Sequence, residues 1–310
     1  VATVSPKAEY AARTIRPKIH KHLELFLKPC PRYRPKHTSI HMGPESVDLG
    51  AIDAILDGLD IDRTVSAVTQ FYKGGPGQAK KRLRRFIAHH LQNYASNRNQ
   101  PQTDEISHMS PYLHFGQISP VFLALQIKNA STGAEADRAA YLEELIVRRE
   151  LAVNFVYYAP DYDRYRCLPA WAQKTLGEHA ADRRETLYGR QTLEAAKTHD
   201  SYWNAAMAEM RDTGFMHSYM RMYWGKKILE WSRTPQQAFD TTLALNNKYF
   251  LDGRDPNSYT GVAWIYGVHD RPWPERPIFG KTRFMAASGL ERKCDIMAYV
   301  KKINKTIEKD

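Results

Sequence analysis

The sequence predicts an all-α fold: one mostly helical domain reached through a short connector. Three observations carry this. Segments whose apolar residues recur at helical spacing fill most of the chain, alternating β-branched runs are nearly absent, and there is neither a βαβ rhythm nor a repeat of fixed period. At 310 residues the chain can bury a large core. Its 45 Lys and Arg against 34 Asp and Glu give a formal charge of +11, which favours a polyanionic partner without identifying one and equally serves solubility. Cys30, Cys167 and Cys294 are far apart and form no paired motif, so a reducing intracellular compartment and no structural metal are expected. No apolar run approaches a membrane span and no signal peptide is recognisable, so no membrane partner is expected, and the expected state is a monomer.

Residues 10–27 form a short amphipathic, basic stretch, and the prolines of 28–36 forbid regular helix, so residues 1–45 read as a connector and 46–310 as the main domain. Residues 47–59 have helical spacing. Gly74, Gly75, Pro76 and Gly77 break the chain before a helix over 78–94, whose apolar side is Leu83, Phe86, Ile87 and Leu91. Its Lys80, Lys81, Arg82, Arg84 and Arg85 are a solvated face or a phosphate-contacting one. Further helices are expected over 120–129, 134–158, 191–198, 202–210, 214–231 and 235–246.

The 214–231 helix is rich in aromatics and methionines. Trp224 and Trp231 are seven apart, hence on one face and roughly 10 Å apart along the axis, with Met220 and Ile228 in the same stripe. Such a stripe is ordinarily core. Arg221 complicates that reading, because a guanidinium among Met and Trp cannot shed its charge and needs a carboxylate, a phosphate or an electron-rich ring to face. Asp252, in the turn-rich segment 245–257, is a candidate partner, and Asp255 before Pro256 marks a helix start. Ser107 and Ser110, three apart, stand at a loop-to-helix junction before Pro111, where either an anion site or simple N-capping by Ser110 and Ser119 fits. Glu144 and Arg148 at i,i+4 form either an exposed salt bridge or two sides of a pocket. Trp264, His269, Asp270, Arg271 and Trp273 mix aromatics with charges, as nucleic-acid surfaces do, although lone tryptophans are more often core.

In order, SHMSPYLHFGQISP (107–120), LEELIVRRELAVNF (142–155), GFMHSYMRMYWGKKILEW (214–231) and LDGRDPN with GVAW and GVHDRPW (251–273) resemble the flavin-binding domain of class II cyclobutane pyrimidine dimer photolyases, a likeness that covers about 94–294. The resemblance implies an all-helical domain holding FAD, with FADH⁻ the active form. It also places the start of this chain where the family's N-terminal α/β antenna domain ends, so no antenna-pigment site is expected. It implies FAD contacts, mainly to phosphates and ribityl chain, from Tyr94, Ser107, Met109, Ser110 and Arg148; a salt bridge Arg221–Asp252 beside the isoalloxazine; and Asn246 facing the flavin N5. Trp224, Trp203 and Trp231 would carry electrons in that order from flavin to surface, Trp203 being brought in from another helix. A protonated Glu144 would donate to the dimer's carbonyl, Met222 would lie against the paired pyrimidines, and Trp264 would pack on the flipped lesion. Arg271 and Trp273 would fill the gap in the DNA, with Arg98 and Asn99 near the lesion. The implied activity is light-driven repair of UV-damaged DNA, in the cytoplasm of a prokaryote or in the nucleus or an organelle of a eukaryote. The alternatives are a cryptochrome-like flavin sensor without repair and a cofactor-free helical DNA-binding module.

Overall fold

Proline opens four of the helices, at Pro76, Pro120, Pro235 and Pro256, where its missing N–H costs nothing. Side-chain caps from Ser119, Asp200, His217, Thr234, Asp255 and Asp295 take up free N–H groups of the first turns that they precede. The computed structural model describes residues 1–31, 33–43 and 45–308; Arg32 of the proline-rich segment and the last two residues of the expected domain lie outside them. Among the described residues the chain is helical throughout, and the single β-bridge, Arg276 with Gly280, is isolated. The principal helices are α1 (Ala12–His20), α2 (Pro76–His89), α3 (Glu135–Leu142), α4 (Arg149–Tyr158), α5 (Ser201–Thr213), α6 (Ser218–Trp231), α7 (Pro235–Tyr249), α8 (Pro256–Ile265) and α9 (Ile296–Ile307).

Three apolar clusters hold them. The largest joins α5 through α9 around Trp203, Met220, Trp224, Phe239 and Tyr299. A second packs Leu83 and Phe86 of α2 against Tyr94, Met109, Tyr141 and Leu145. The third is small and sets Ile15 and Ile19 of α1 on Val147 and Leu151. The first twenty residues are therefore seated on the body of the protein, and Glu9 N donates to Asn154 Oδ1 at 2.7 Å within that contact. Among the described residues, those between about 28 and 62 are mostly exposed.

The expected 134–158 helix is present, with one feature the spacing does not reveal. Between α3 and α4 the turn Glu143–Arg148 is a π-helix. Such wide turns insert a residue and re-aim the side chains beyond it, and they recur at functional sites. Two glycines are fixed by close approach. A Cβ on Gly225 would lie 2.2 Å from Ile265 Cδ1, so any other residue there would force the Ile265 side chain to move. Gly214 ends α5 at φ +70° and lets Leu251 N donate to its carbonyl at 2.9 Å, which sets Asp252 beside α6.

Candidate functional site

The three clusters meet around a cavity of about 400 Å³, with an adjoining lobe of about 220 Å³ that shares Tyr94, Ser107, Glu144, Arg221 and Asp252. Met109 comes from the second cluster, Trp224 and Phe250 from the first, and Leu151 from the third. Tyr94, Ser107, Met109, Ser110, Arg148, Arg221, Asn246 and Asp252, all eight of the expected cofactor contacts, line this one cavity, and so do Glu144, Trp224 and Trp264. A larger cavity of about 550 Å³ opens between α2 and α9, walled by Lys81, Arg82 and Arg85, and of these residues it reaches only Ser107. Chemistry, not size, singles out the smaller space.

Arg221 finds all that its sequence position demands. Its Nη2 lies 3.1 Å from both oxygens of Asp252, its Nε donates to the Met216 carbonyl at 3.0 Å, and the guanidinium sits 3.8 Å from the centre of the Phe250 ring. The Asn246 side chain is buried and fixed: Ser258 donates to its Oδ1, and its amide donates to Asn247 and to Ser258. Ser110 is the first residue of its short helix and makes no capping bond, which leaves its hydroxyl for the cavity, whereas Ser119 is a true N-cap. Ser107 accepts from the Tyr141 hydroxyl at 2.9 Å. Burial, with the Glu144 charge adding, pushes the Tyr94 phenol up to about 12.

Glu144 and Arg148 do not pair. Glu144 accepts from Arg98 at 2.7 Å, so an arginine occupies the oxygen expected to face a dimer, while Arg148 lies 3.4 Å from Glu143. Arg98 thus reaches the site through Glu144, and Asn99 is exposed with no placement in the cavity wall. Met222 is half-buried against the largest cluster and is not among the residues lining the cavity. Trp264, in the last turn of α8, is in the wall. Beyond it, Trp273 is held between Arg283 at 4.4 Å and the exposed Arg271 at 5.4 Å, its Nε1 donating to Asp270.

From Trp224 a line of aromatics leads away from the cavity. Trp203 of α5 donates its Nε1 to the Trp224 carbonyl at 2.9 Å and meets Trp231 edge to face at 5.5 Å between ring centres. Trp231 is not at the surface: it is 2% exposed, and Tyr188 and His199 cover it at 5.4 and 5.3 Å.

Sequence reasoning missed Phe250, Ser258 and the cavity role of His269. Phe250 and Ser258 flank the Asp252–Asp255 turn, so the turn itself was the available signal. His108 and His269 both adopt left-handed backbone, at φ +52° and +58°, in the cavity wall. Four of the nine buried side-chain polar atoms that lack a hydrogen-bond partner among the described residues belong to this wall: Trp224 Nε1, Trp264 Nε1, His269 Nε2 and Arg148 Nε, the last of which faces Glu143 at 3.4 Å. Buried polar groups are nearly always satisfied, so their concentration marks a binding site.

This helical frame is that of the photolyase and cryptochrome fold. It superposes on a bacterial class III photolyase from Agrobacterium tumefaciens with TM-score 0.62 at 18% identity, over 78% of this chain and 47% of that one, and on a cryptochrome from Synechocystis sp. PCC6803 with TM-score 0.54 at 13% identity, over 96% and 68%. The chain belongs to the deoxyribodipyrimidine photo-lyase family, and the class II motifs all fall within the matched span. It is 48% identical over 305 residues to that enzyme from Methanothermobacter thermautotrophicus and 42% identical over 301 residues to the one from Potorous tridactylus, matches that cover 98% and 97% of this chain. The chain spans 66% and 56% of the length of these curated relatives. No protein-family model matches it.

Proposed function

We propose that this chain uses bound FAD and light to split cyclobutane pyrimidine dimers in DNA. The observation that carries the reading is the convergence of all eight expected flavin contacts, together with Glu144, Trp224 and Trp264, on one cavity between the apolar clusters. The residues fit the cofactor. Arg148, whose Nε makes no hydrogen bond and only a 3.4 Å ion contact to Glu143, and the Ser110 hydroxyl are donors suited to phosphate and ribityl oxygens, and the Arg221–Asp252 pair offers a fixed positive and negative edge to a polar ring. When bound, reduced and excited, FAD would supply the electron for opening the cyclobutane ring and would take it back, so that no net oxidation would occur.

The protein's part is to hold, orient and exclude water. Asn246, immobilised by Ser258, presents a carboxamide that does not turn. Glu144 accepts from Arg98 here, and a dimer carbonyl, itself an acceptor, would compete with Glu144 for the Arg98 donor. Trp264 provides a ring for the extruded bases, and a dimer, already poorly stacked, is cheaper to extrude than normal bases. Trp224, Trp203 and Trp231 form the route by which oxidised flavin is recharged. The net charge of +11 supports phosphate contacts and a salt-sensitive affinity.

The test mixes the photoreduced protein with dimer-containing oligothymidylate and follows recovery of thymine absorbance in blue light and in darkness. Light-dependent recovery is the expected result. Flavin bleaching without recovery would favour a sensor, and protein that takes up no flavin would favour a plain DNA-binding module.

A further inference from the structure

The unpartnered atoms of the cavity wall are not alike. Arg148 Nε, Trp224 Nε1 and Trp264 Nε1 each carry a proton and can only donate. His269 is different, and its hydrogen bond shows why. Nδ1 lies 2.7 Å from the Tyr10 carbonyl, which can only accept, so Nδ1 carries the proton. Nε2, buried and without a hydrogen-bond partner, is then a bare lone pair in the cavity wall. Burial lowers the imidazole's basicity, opposed by the Tyr10 bond and helped by the nearby Arg148 charge, so the neutral ring is the one favoured.

The ring is also held. Tyr10 and the 269–270 segment clasp each other, because the Tyr10 hydroxyl donates to the Asp270 carbonyl at 2.6 Å while His269 donates to Tyr10. Phe155 meets the imidazole edge to face at 5.8 Å. The backbone at φ +58° is a conformation that a bulky residue adopts only when its surroundings impose it. His269 lines the larger cavity together with Trp264, and neither belongs to the adjoining lobe that Arg221 and Asp252 share.

A thymine offers two carbonyl acceptors and one donor, its imide N3–H. Donors in the wall can meet the carbonyls; a lone acceptor answers only the N3–H. We propose that His269 reads the extruded pyrimidine by accepting a hydrogen bond from its N3–H through Nε2, an inference that rests on the dimer-repair reading above. A base lacking that proton leaves Nε2 buried and unmatched, which is the kind of loss that gives strong discrimination.

The experiment measures binding in the dark, by anisotropy, of the flavin-loaded protein to an oligonucleotide carrying one thymine dimer and to the same dimer methylated at N3. The informative variant is His269→Asn. Asparagine tolerates left-handed backbone, and its amide can still donate to the Tyr10 carbonyl, so only the Nε2 acceptor is lost. The wild type is expected to lose about fivefold to tenfold in affinity on methylation and a similar factor on His269→Asn, with the variant indifferent to methylation. His269→Gln, whose longer amide reaches the Nε2 position, should keep most of the affinity. An equal methylation penalty in wild type and His269→Asn overturns the inference alone. A fall in flavin occupancy in His269→Asn also overturns it, since the imidazole would then serve the cofactor. If the wild type does not prefer dimer-containing to undamaged DNA, the repair reading itself falls and takes the inference with it.

Discussion

Removing the Asp252 carboxylate is the sharpest test of how the site is built. The side chains of Arg221 and Asp252 are only 23% and 12% exposed, so the charge left behind would be only partly rehydrated. Losing one partner of a fully buried pair costs ~3–5 kcal/mol. Arg221 keeps the Met216 carbonyl and the Phe250 ring, and water reaches part of it, so for Asp252→Ala about 2–3 kcal/mol is the reasonable figure. Asp252→Asn retains one acceptor oxygen and should cost about half as much. The assay is urea denaturation of the flavin-free protein, which separates this loss from any loss of cofactor binding. Replacing both partners, as Arg221→Met with Asp252→Leu, should be less destabilising than Asp252→Ala alone, because no charge is then stranded. A cost for Asp252→Ala within about 0.5 kcal/mol, the range of surface substitutions, or strict additivity in the double variant, would refute the argument.

Three further outcomes are expected. Trp224→Phe should block photoreduction of oxidised flavin yet leave repair intact in protein reduced chemically; equal loss of both would remove Trp224 from the electron route. Gly225→Ala should destabilise by about 1–3 kcal/mol, since its Cβ would lie 2.2 Å from Ile265 Cδ1, and Ile265→Val should recover part of that in thermal unfolding; additive losses would show that the helices can part freely. Burial raises the Glu209 carboxyl to about 7, opposed by its bond from Tyr299 and by Lys302, so the unfolded chain ionises first as pH rises. Stability should therefore fall between about pH 4.5 and 7 by about 3 kcal/mol, and Glu209→Gln should remove that slope in pH-resolved denaturation; an unchanged slope would mean that water or Lys302 stabilises the anion.

What the sequence made legible was whatever one helix or one turn determines by itself. Arg221 announced its need for a counterion because its neighbours along α6 are Met, Tyr and Trp. Asp255 announced a helix start because Pro256 comes directly after it, and its side chain does accept from Asn257 N. Ala170–Glu178 and α9 are among the helices outside the expected set, although Ile296, Tyr299, Val300, Ile303 and Ile307 of α9 do recur at helical spacing. Pairings across the chain were out of reach without the family likeness. Arg98 takes Glu144 from 46 residues away, although Arg148 stands at the spacing that favours a pair on an ordinary helix. Burial of Trp231 depends on Tyr188 and His199, neither of which periodicity singles out.

The π turn at Glu143–Arg148 connects these cases. Tyr141 and Leu145 belong to one apolar cluster, Val147 and Leu151 to another, and Phe155 to a third, so a single run of helix must serve three cores in succession. A regular α-helix keeps one stripe on one side; an inserted residue rotates the turns C-terminal to it and lets the stripe change partner. Where the clusters part, none of them fills the space between, and the residues at the change of register, Glu144 and Arg148, face that space with polar groups. The cavity is thus a consequence of how the helix is shared. Deleting one residue within 143–148 should restore a regular helix, unseat either the α1 contact or the Tyr141 cluster, and abolish flavin uptake, a result that circular dichroism and flavin titration together would distinguish from simple unfolding.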